Sequence, residues 1–275
     1  MTRVAVVGCG IMGSGITFVA RAAGFPVIAV EPSDELVAAA RKRVDRQETQ
    51  ARKRDADLSE LAAYELTTDL AEAVGGAGIV VEAVPEDLEL KRAVFAELGA
   101  AAGGDTVVAS NTSGLSIEDL AAASGRSSQV LGLHFFNPVP AMRLVEVVRA
   151  PGTSDDTVAR GIDFARTLGK ETVEVRDMPG FVTTRLGTVL MCEAIRAYEQ
   201  GVASVEHVDT AMKLGYNHPM GPLELADRIG LDTVLFVLDD LREAYGDAFS
   251  PPPLLRRMVD EGKLGRKSGA GFYDY

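Results

Sequence analysis

His134 and Glu146 are the residues whose types and surroundings best suit the movement of a proton. His134 directly follows an apolar, strand-like run at 130–133, and Glu146 lies inside a second apolar run at 144–148. Because a carboxylate buried without a partner is costly, a neighbouring histidine would satisfy Glu146 and gain basicity from it. Such a pair could act as a general base on a hydroxyl group. A structural histidine packed beside the two phenylalanines that follow it is the alternative interpretation.

A glycine-rich loop follows the first strand-like run of the chain and precedes a helical stretch. Gly8 would permit a tight turn, Gly10 would let the backbone approach a pyrophosphate, and Gly13 would allow close packing of helix on strand. The helix that this loop opens would offer N–H groups and partial positive charge at its N-terminus to the phosphates. Ile11 and Met12, within the loop, are also candidate cofactor contacts. The loop therefore predicts a dinucleotide site, and incidental glycines in an ordinary strand–turn–helix are the alternative.

Glu31 indicates which dinucleotide would bind. It ends the second short apolar run, at 27–30, where a carboxylate can accept hydrogen bonds from the ribose hydroxyls of adenosine. The same carboxylate would repel the 2′-phosphate of NADP, and positions 32–40 contain no arginine or lysine to bind that group. The sequence therefore predicts NAD as the cofactor.

Alternating strands and helices must position these residues. Besides the strands already described, the expected elements are strands at 3–7, 79–81 and 106–109, helices at 16–23, 88–98 and 117–123, and an edge strand at 171–175. This alternation is typical of an α/β fold, here a Rossmann-type, doubly wound and mostly parallel sheet covered on both faces. Ligands bind at the carboxyl ends of such strands, where the glycine loop, Glu31 and His134 all lie.

The pattern changes at Asp177. Pro179 and Gly180 mark the start of a helix at 182–200, and the remaining helices are expected at 205–214, 223–226, 231–245 and 253–261. We therefore predict a nucleotide-binding domain over 1–177 and a C-terminal all-helical domain over 178–275.

Composition restricts the possible partners. The 275 residues have a net charge of −12, which disfavours nucleic acid and anionic membranes. With two cysteines, neither a Cys-rich zinc site nor a disulfide scaffold is expected, and we predict no metal. No apolar run approaches the ~20 residues of a membrane helix, and no signal peptide is visible, so a cytoplasmic location is predicted.

Motifs along the whole chain resemble those of one family. The first is the glycine loop, which continues to Gly15. The others lie at 81–86, 110–113, 134–138, 179–182, 211–215, 218–222 and 265–269. In their order and sequence they are similar to the 3-hydroxyacyl-CoA dehydrogenase family, particularly its single-function bacterial members, the 3-hydroxybutyryl-CoA dehydrogenases. The resemblance implies hydride transfer between NAD and the 3-hydroxyl of an (S)-3-hydroxyacyl-CoA.

The resemblance also implies roles for individual residues. His134 would be the general base, Glu146 its orienting partner, and Ser113 a ligand of the substrate's 3-oxygen or thioester carbonyl near the nicotinamide. Glu31 would hold the adenosine ribose. The remaining implied cofactor contacts are Glu86, Lys91, Asn137 and Lys267. Each has an ordinary alternative, such as a helix cap for Ser113 or a solvated surface charge for Lys91 and Lys267.

A local basic segment gains meaning from the same resemblance. Positive charge is concentrated over 41–54, which by itself is typical of a solvated helix face. In the family this region forms a helical arm, here expected near 41–65, that contacts the nucleotide part of coenzyme A. The resemblance implies that Arg54 makes this contact, and Gln47 or Lys53 are the next candidates. The resemblance further implies a homodimer formed through the helical domain.

Thr184 is a departure from the family pattern, which usually has an asparagine here that helps bind the substrate. Threonine keeps one donor and one acceptor but loses the amide group. We expect Thr184 in the first turns of the first long helix of the second domain, in the substrate cleft, with its hydroxyl toward the acyl group. A surface threonine bonded to its own backbone is the alternative.

Two other functions stay open at this point. One is the same chemistry on another 3-hydroxy acid or on an acyl carrier protein thioester, which the change at Thr184 would allow. The other is a non-catalytic protein that binds dinucleotide, which the fold alone would permit. The presence of His134, Glu146 and Ser113 together favours an enzyme.

Overall fold

The computed structural model describes residues 2–54 and 59–275, and the chain divides into two units, Met1–Met178 and Pro179–Tyr275. Each unit has its own hydrophobic core. None of the helices within the described ranges combines the length and apolar character that crossing a bilayer requires.

The first unit is built on one sheet, to which the described residues contribute eight strands. In chain order they are β1 (Arg3–Val7), β2 (Val27–Val30), β3 (Tyr64–Thr67), β4 (Ala77–Glu82), β5 (Val107–Ser110), β6 (Val130–Phe135), β7 (Leu144–Arg149) and β8 (Glu171–Arg176). Their spatial order is β3-β2-β1-β4-β5-β6-β7-β8. Within this sheet neighbouring strands are parallel, except that β6 and β7 are antiparallel.

Six helices of the described part cover the sheet. They are α1 (Ile11–Ala22), α2 (Asp34–Arg54), α3 (Leu70–Val74), α4 (Leu88–Ala101), α5 (Ile117–Ser124) and α6 (Asp155–Thr167). The central strands β1, β2 and β5 are buried throughout or nearly so, because helices cover both faces, and this explains their unbroken apolar sequences. One face forms a core with α1, α2 and α6, while α4 packs against α5 and α3. The predicted fold class is confirmed.

Several elements differ from those expected. The strand β3 and the helices α3 and α6 were not expected. Strand β3 is only partly buried, so its sequence lacks the apolar run that marks the central strands. The arm predicted near 41–65 is wrong in its C-terminal part, because Tyr64 and Glu65 pair with β2, whereas α2 itself begins earlier and reaches Arg54. Strand β8 lies at the edge of the sheet as predicted.

The second unit is helical in its described residues. Its helices are α7 (Thr183–Glu199), α8 (Val205–Gly215), α9 (Pro222–Ile229), α10 (Leu231–Tyr245) and α11 (Pro253–Asp260). Their apolar faces meet in a core around Ile195, Leu223, Leu231 and Leu238, each fully buried. Amphipathic spacing is therefore sufficient to locate these helices from sequence.

Candidate active site

A cleft of about 1050 Å³ opens at the carboxyl ends of the strands of the first unit. Its lining includes the residues that follow β1, β2, β4 and β5 and those that end β6. Cofactor and ligand pockets are typically about 300–1,000 Å³, so this cleft could hold a ligand as large as a dinucleotide. The predicted site residues that line it are Gly8, Gly10, Ile11, Met12, Glu31, Glu86, Ser113, His134 and Asn137.

The glycine loop has the geometry that its sequence predicts. Gly8 adopts φ +84°, and a Cβ there would lie 2.9 Å from the backbone of Ala83 and Val84. A Cβ on Gly13 would lie 1.8 Å from the carbonyl oxygen of Gly8, so only glycine permits this approach of α1 to β1. A Cβ on Gly10 would meet nothing within 4 Å. The space beside Gly10, at the start of α1, fits a pyrophosphate held by backbone N–H groups.

Glu31 lies at the end of β2 and is 7% exposed. Its Oε1 accepts a hydrogen bond from the backbone N–H of Cys9, 2.7 Å away, which fixes the carboxylate beside the glycine loop. This bond occupies part of the acceptor capacity of one carboxylate oxygen. The remaining capacity of the carboxylate suits the two hydroxyls of a ribose, so the residues present fit the adenosine half of NAD.

His134 and Glu146 face each other across the antiparallel pairing of β6 and β7, in direct register. Nδ1 of His134 lies 2.8 Å from Oε2 of Glu146, which is fully buried. An ionised carboxylate can only accept, so the tautomer that pairs with it carries its proton on Nδ1 and keeps a lone pair on Nε2. The ring also packs on Phe136, with centroids 4.4 Å apart. Because His134 lines the cleft, this arrangement can accept a proton there.

Ser113 is tied to Glu86 on the rim of the cleft. Oε1 of Glu86 accepts from the hydroxyl of Thr112 at 2.6 Å, the backbone N–H of Ser113 at 2.8 Å and the hydroxyl of Ser113 at 3.0 Å. Ser113 is not the cap of the following helix, because Ser116 occupies the N-cap position of α5 and accepts from the N–H of Asp119. The structural alternative for Ser113 is therefore wrong.

Lys91 is neither a surface charge nor part of the cleft lining. It is 1% exposed, and its Nζ donates to Oε1 of the fully buried Glu82 at 2.7 Å and to the carbonyl of Val84 at 3.1 Å. Oε2 of Glu86 lies 3.4 Å from the same Nζ. Buried charges need partners, and these two glutamates supply them. Lys91 thus pairs with Glu86, a residue of the cleft lining, without lining the cleft itself. Its contact with the cofactor stays a prediction.

Asn111 lines the cleft, and its sequence signal was only its place in the motif 110–113. Its Oδ1 accepts from the backbone N–H of Phe135 at 3.0 Å, which joins the end of β5 to the strand that bears His134. Glu82 was missed in the same way, although its Oε2 accepts from the hydroxyl of Ser110 at 2.6 Å. A charged residue inside an otherwise apolar strand was the available signal for Glu82.

The residues predicted to contact coenzyme A lie on α2. Gln47, on α2, donates to the hydroxyl of Ser14 at 3.0 Å and is half-buried against α1. Lys53 is exposed near the end of α2, and the side chain of Arg54 lies outside what the structure describes. Their contacts with coenzyme A stay a prediction.

Two predicted residues belong to the second unit. The ammonium of Lys267 lies 2.6 Å from the carboxylate of Asp232. Thr184 lies in the first turn of α7, as predicted, and is half-buried. Their roles toward cofactor and substrate stay predictions.

Comparisons with known proteins agree over the whole chain. The N-terminal, NAD-binding domain of 3-hydroxyacyl-CoA dehydrogenase matches residues 3–178, and the C-terminal domain of that family matches residues 180–275. A 3-hydroxybutyryl-CoA dehydrogenase of Mycobacterium tuberculosis is 45% identical, over 99% of this chain and 98% of its own. The mitochondrial hydroxyacyl-coenzyme A dehydrogenase of Sus scrofa is 43% identical, over 99% and 91%. The crystal structure of (S)-3-hydroxybutyryl-CoA dehydrogenase from Ralstonia eutropha superposes with a TM-score of 0.95 at 40% identity, covering 100% and 99% of the two chains.

Proposed function

This chain belongs to the 3-hydroxyacyl-CoA dehydrogenase family and is an NAD-dependent oxidoreductase, and we propose that its substrate is an (S)-3-hydroxyacyl-CoA such as 3-hydroxybutyryl-CoA. The observation that supports this most directly is the His134–Glu146 pair on the wall of a cleft that also contains the glycine loop and Glu31. The base and the nucleotide-binding residues share one open space.

In the proposed mechanism His134 accepts the proton of the substrate hydroxyl on Nε2. Glu146 holds the ring through Nδ1, keeps the reactive tautomer and stabilises the imidazolium that forms. NAD, when bound by the glycine loop and Glu31, supplies the hydride acceptor. In the reverse direction the His134 imidazolium returns its proton to the oxygen. Ser113, on the same rim, would hydrogen-bond the 3-oxygen or the thioester carbonyl.

Consumption of NADH on addition of acetoacetyl-CoA tests the proposal. We expect rapid turnover, and kcat/KM for NADH well above that for NADPH because of Glu31. The same acyl group on an acyl carrier protein and as the free acid should react with lower kcat/KM. A higher value for either would assign the enzyme to that substrate, as the replacement at Thr184 allows. Binding of NADH without turnover of any of the three would contradict the catalytic role.

The homodimer expected through the helical unit is part of the same proposal. Light scattering coupled to gel filtration of the purified chain would measure it. A mass of 29.1 kDa, that of one chain, would contradict it.

A further inference from the structure

Arg43 is a charged residue of the cleft that was predicted only as part of the basic segment 41–54. It lies on α2 and lines the cleft together with Glu31, Pro32 and Leu36. Leu36 and Arg43 lie two helical turns apart and therefore on one face of α2. Glu31 and Pro32 directly precede that helix. Arg43 thus occupies the adenosine end of the cleft, beyond the window 32–40 in which no cation was found.

The charge of Arg43 acts close to the glycine loop and to Glu31. Burial raises the pKa of the Cys9 thiol to about 11, and the positive charge of Arg43 works against that rise. The backbone N–H of the same Cys9 donates to Glu31. Within residues 2–54 and 59–275, no carboxylate lies within ion-pair distance of the Arg43 guanidinium. The guanidinium is therefore available to a ligand at this end of the cleft.

We infer that Arg43 is a ligand for a 2′-phosphate and that Glu31 alone prevents its use. A guanidinium binds phosphate through two parallel hydrogen bonds, and an arginine near this position accommodates the 2′-phosphate in dinucleotide folds that use NADP. Glu31 would place a negative charge against the same phosphate. The preference for NAD then depends on one carboxylate rather than on the absence of a cation, an inference that rests on the proposed use of this cleft for the cofactor.

The test compares two fragments that differ only in the 2′-phosphate, namely 2′,5′-ADP and 5′-AMP, by calorimetric titration of the full chain. We expect Glu31→Ser to bind 2′,5′-ADP about 10- to 100-fold more tightly than the wild type, the range of one or two charge-assisted hydrogen bonds. Glu31→Ser/Arg43→Gln should lose that gain. Glu31→Ser/Arg46→Gln should keep it, because Arg46 is an exposed arginine of the same helix that does not line the cleft.

Two further measurements keep the test decisive. Glu31→Gln, which retains an oxygen for the Cys9 N–H, replaces Glu31→Ser if the serine variant does not fold. In the wild-type background, where Glu31 prevents the use of Arg43, Arg43→Gln should leave the affinity for 2′,5′-ADP nearly unchanged. Equal affinities of 2′,5′-ADP for Glu31→Ser and Glu31→Ser/Arg43→Gln would overturn the inference. The fragments contain neither nicotinamide nor coenzyme A, so this outcome is independent of whether the chain turns over acyl-CoA.

Discussion

Both units of this chain bury carboxylates, but the partners of those carboxylates differ. In the first unit Glu146 holds an imidazole that lines the cleft. In the second unit Asp209 accepts from the backbone N–H groups of Leu223 and Glu224, at 2.8 and 2.9 Å, and from the hydroxyl of Tyr273.

Asp227 repeats the pattern of Asp209. It accepts from the backbone N–H groups of Phe272 and Tyr273, both at 2.9 Å, and from the hydroxyl of Tyr275. Burial raises the pKa of Asp227, and these hydrogen bonds oppose the rise. The two aspartates thus fix chain segments, whereas Glu146 fixes a group with chemistry of its own. The identity of the partner, rather than burial, separates a carboxylate of the site from one of the framework.

The largest effect is expected where the carboxylate of Glu146 holds the proposed base, His134. His134→Ala and Glu146→Gln should each lower kcat by on the order of 10²–10⁴-fold, the usual contribution of general base catalysis. NADH affinity, measured by fluorescence titration, should change far less. Glu171→Gln, an exposed glutamate on nearby β8, is the matched control and should be neutral. Near-normal kcat in either variant would make that residue structural and break the comparison.

Removal of the framework carboxylate Asp227 should lower stability rather than kcat. Asp227→Ala leaves the N–H groups of Phe272 and Tyr273 without their acceptor, and the free energy of unfolding should fall by about 2–4 kcal/mol. Denaturant unfolding measures this change, while kcat per folded molecule should change less than tenfold.

Asp239→Ala provides the control for this prediction. Asp239 forms an exposed ion pair with Arg256 in the same unit, and such pairs contribute only ~0–1 kcal/mol. If both alanine variants lost the same stability, the contrast between Asp227 and a surface acid would not hold.

Thr184 sharpens the comparison because it is a second-unit residue with a predicted role in catalysis. Thr184→Val should lower kcat/KM roughly tenfold, the value of one hydrogen bond of ~1–3 kcal/mol, while NAD affinity stays unchanged. Thr233→Val, an exposed threonine of α10, should have no effect. Wild-type kcat/KM for Thr184→Val on its best substrate would place the residue outside the active site and leave the second unit purely as framework.

The smallest effect is expected from the basic residues at the end of α2. Replacement of Arg52, Lys53 and Arg54 by glutamine should raise KM for the CoA substrate severalfold, at most ~1 kcal/mol per exposed contact, with kcat nearly unchanged. The dependence of KM on salt should weaken in parallel.

A second triple variant distinguishes a direct contact with the CoA substrate from an effect of overall charge. Arg41, Lys42 and Arg46 lie earlier on the same helix, and their replacement by glutamine removes the same charge. An equal rise in KM for both variants would show a general charge effect, and no change in either would leave the segment as a solvated helix face.

The residues that sequence predicted best are those whose role is local. The glycine loop, Glu31 and the start of α7 follow from neighbouring residues, because tight turns and helix starts depend on a few consecutive positions. The proximity of His134 to Glu146 could also be inferred, since an apolar strand with one acid requires a partner for it.

The features that sequence did not predict depend on how elements pack together. Lys91 is a cofactor contact by resemblance alone, and that role stays a prediction, whereas its buried ion pair with Glu82 depends on tertiary packing. Arg43 was predicted only as part of the basic segment 41–54, because the positions after Glu31 were counted along the chain, whereas helix α2 brings a more distant position to the cleft. Strand β3 gave too little apolar signal because it lies at the edge of the sheet.

The single antiparallel pairing in the described sheet, between β6 and β7, also makes enzymatic activity depend on the register of these two strands. Side chains alternate between the faces of a strand, so a one-residue slip of β7 along β6 would turn Glu146 away from His134. The slipped molecule would bury a lone carboxylate, at a cost of several kcal/mol, and would lack the oriented imidazole of His134. Regain of turnover after refolding would therefore report the molecules in which these two strands are correctly aligned, even where spectroscopic signals of secondary structure recover earlier.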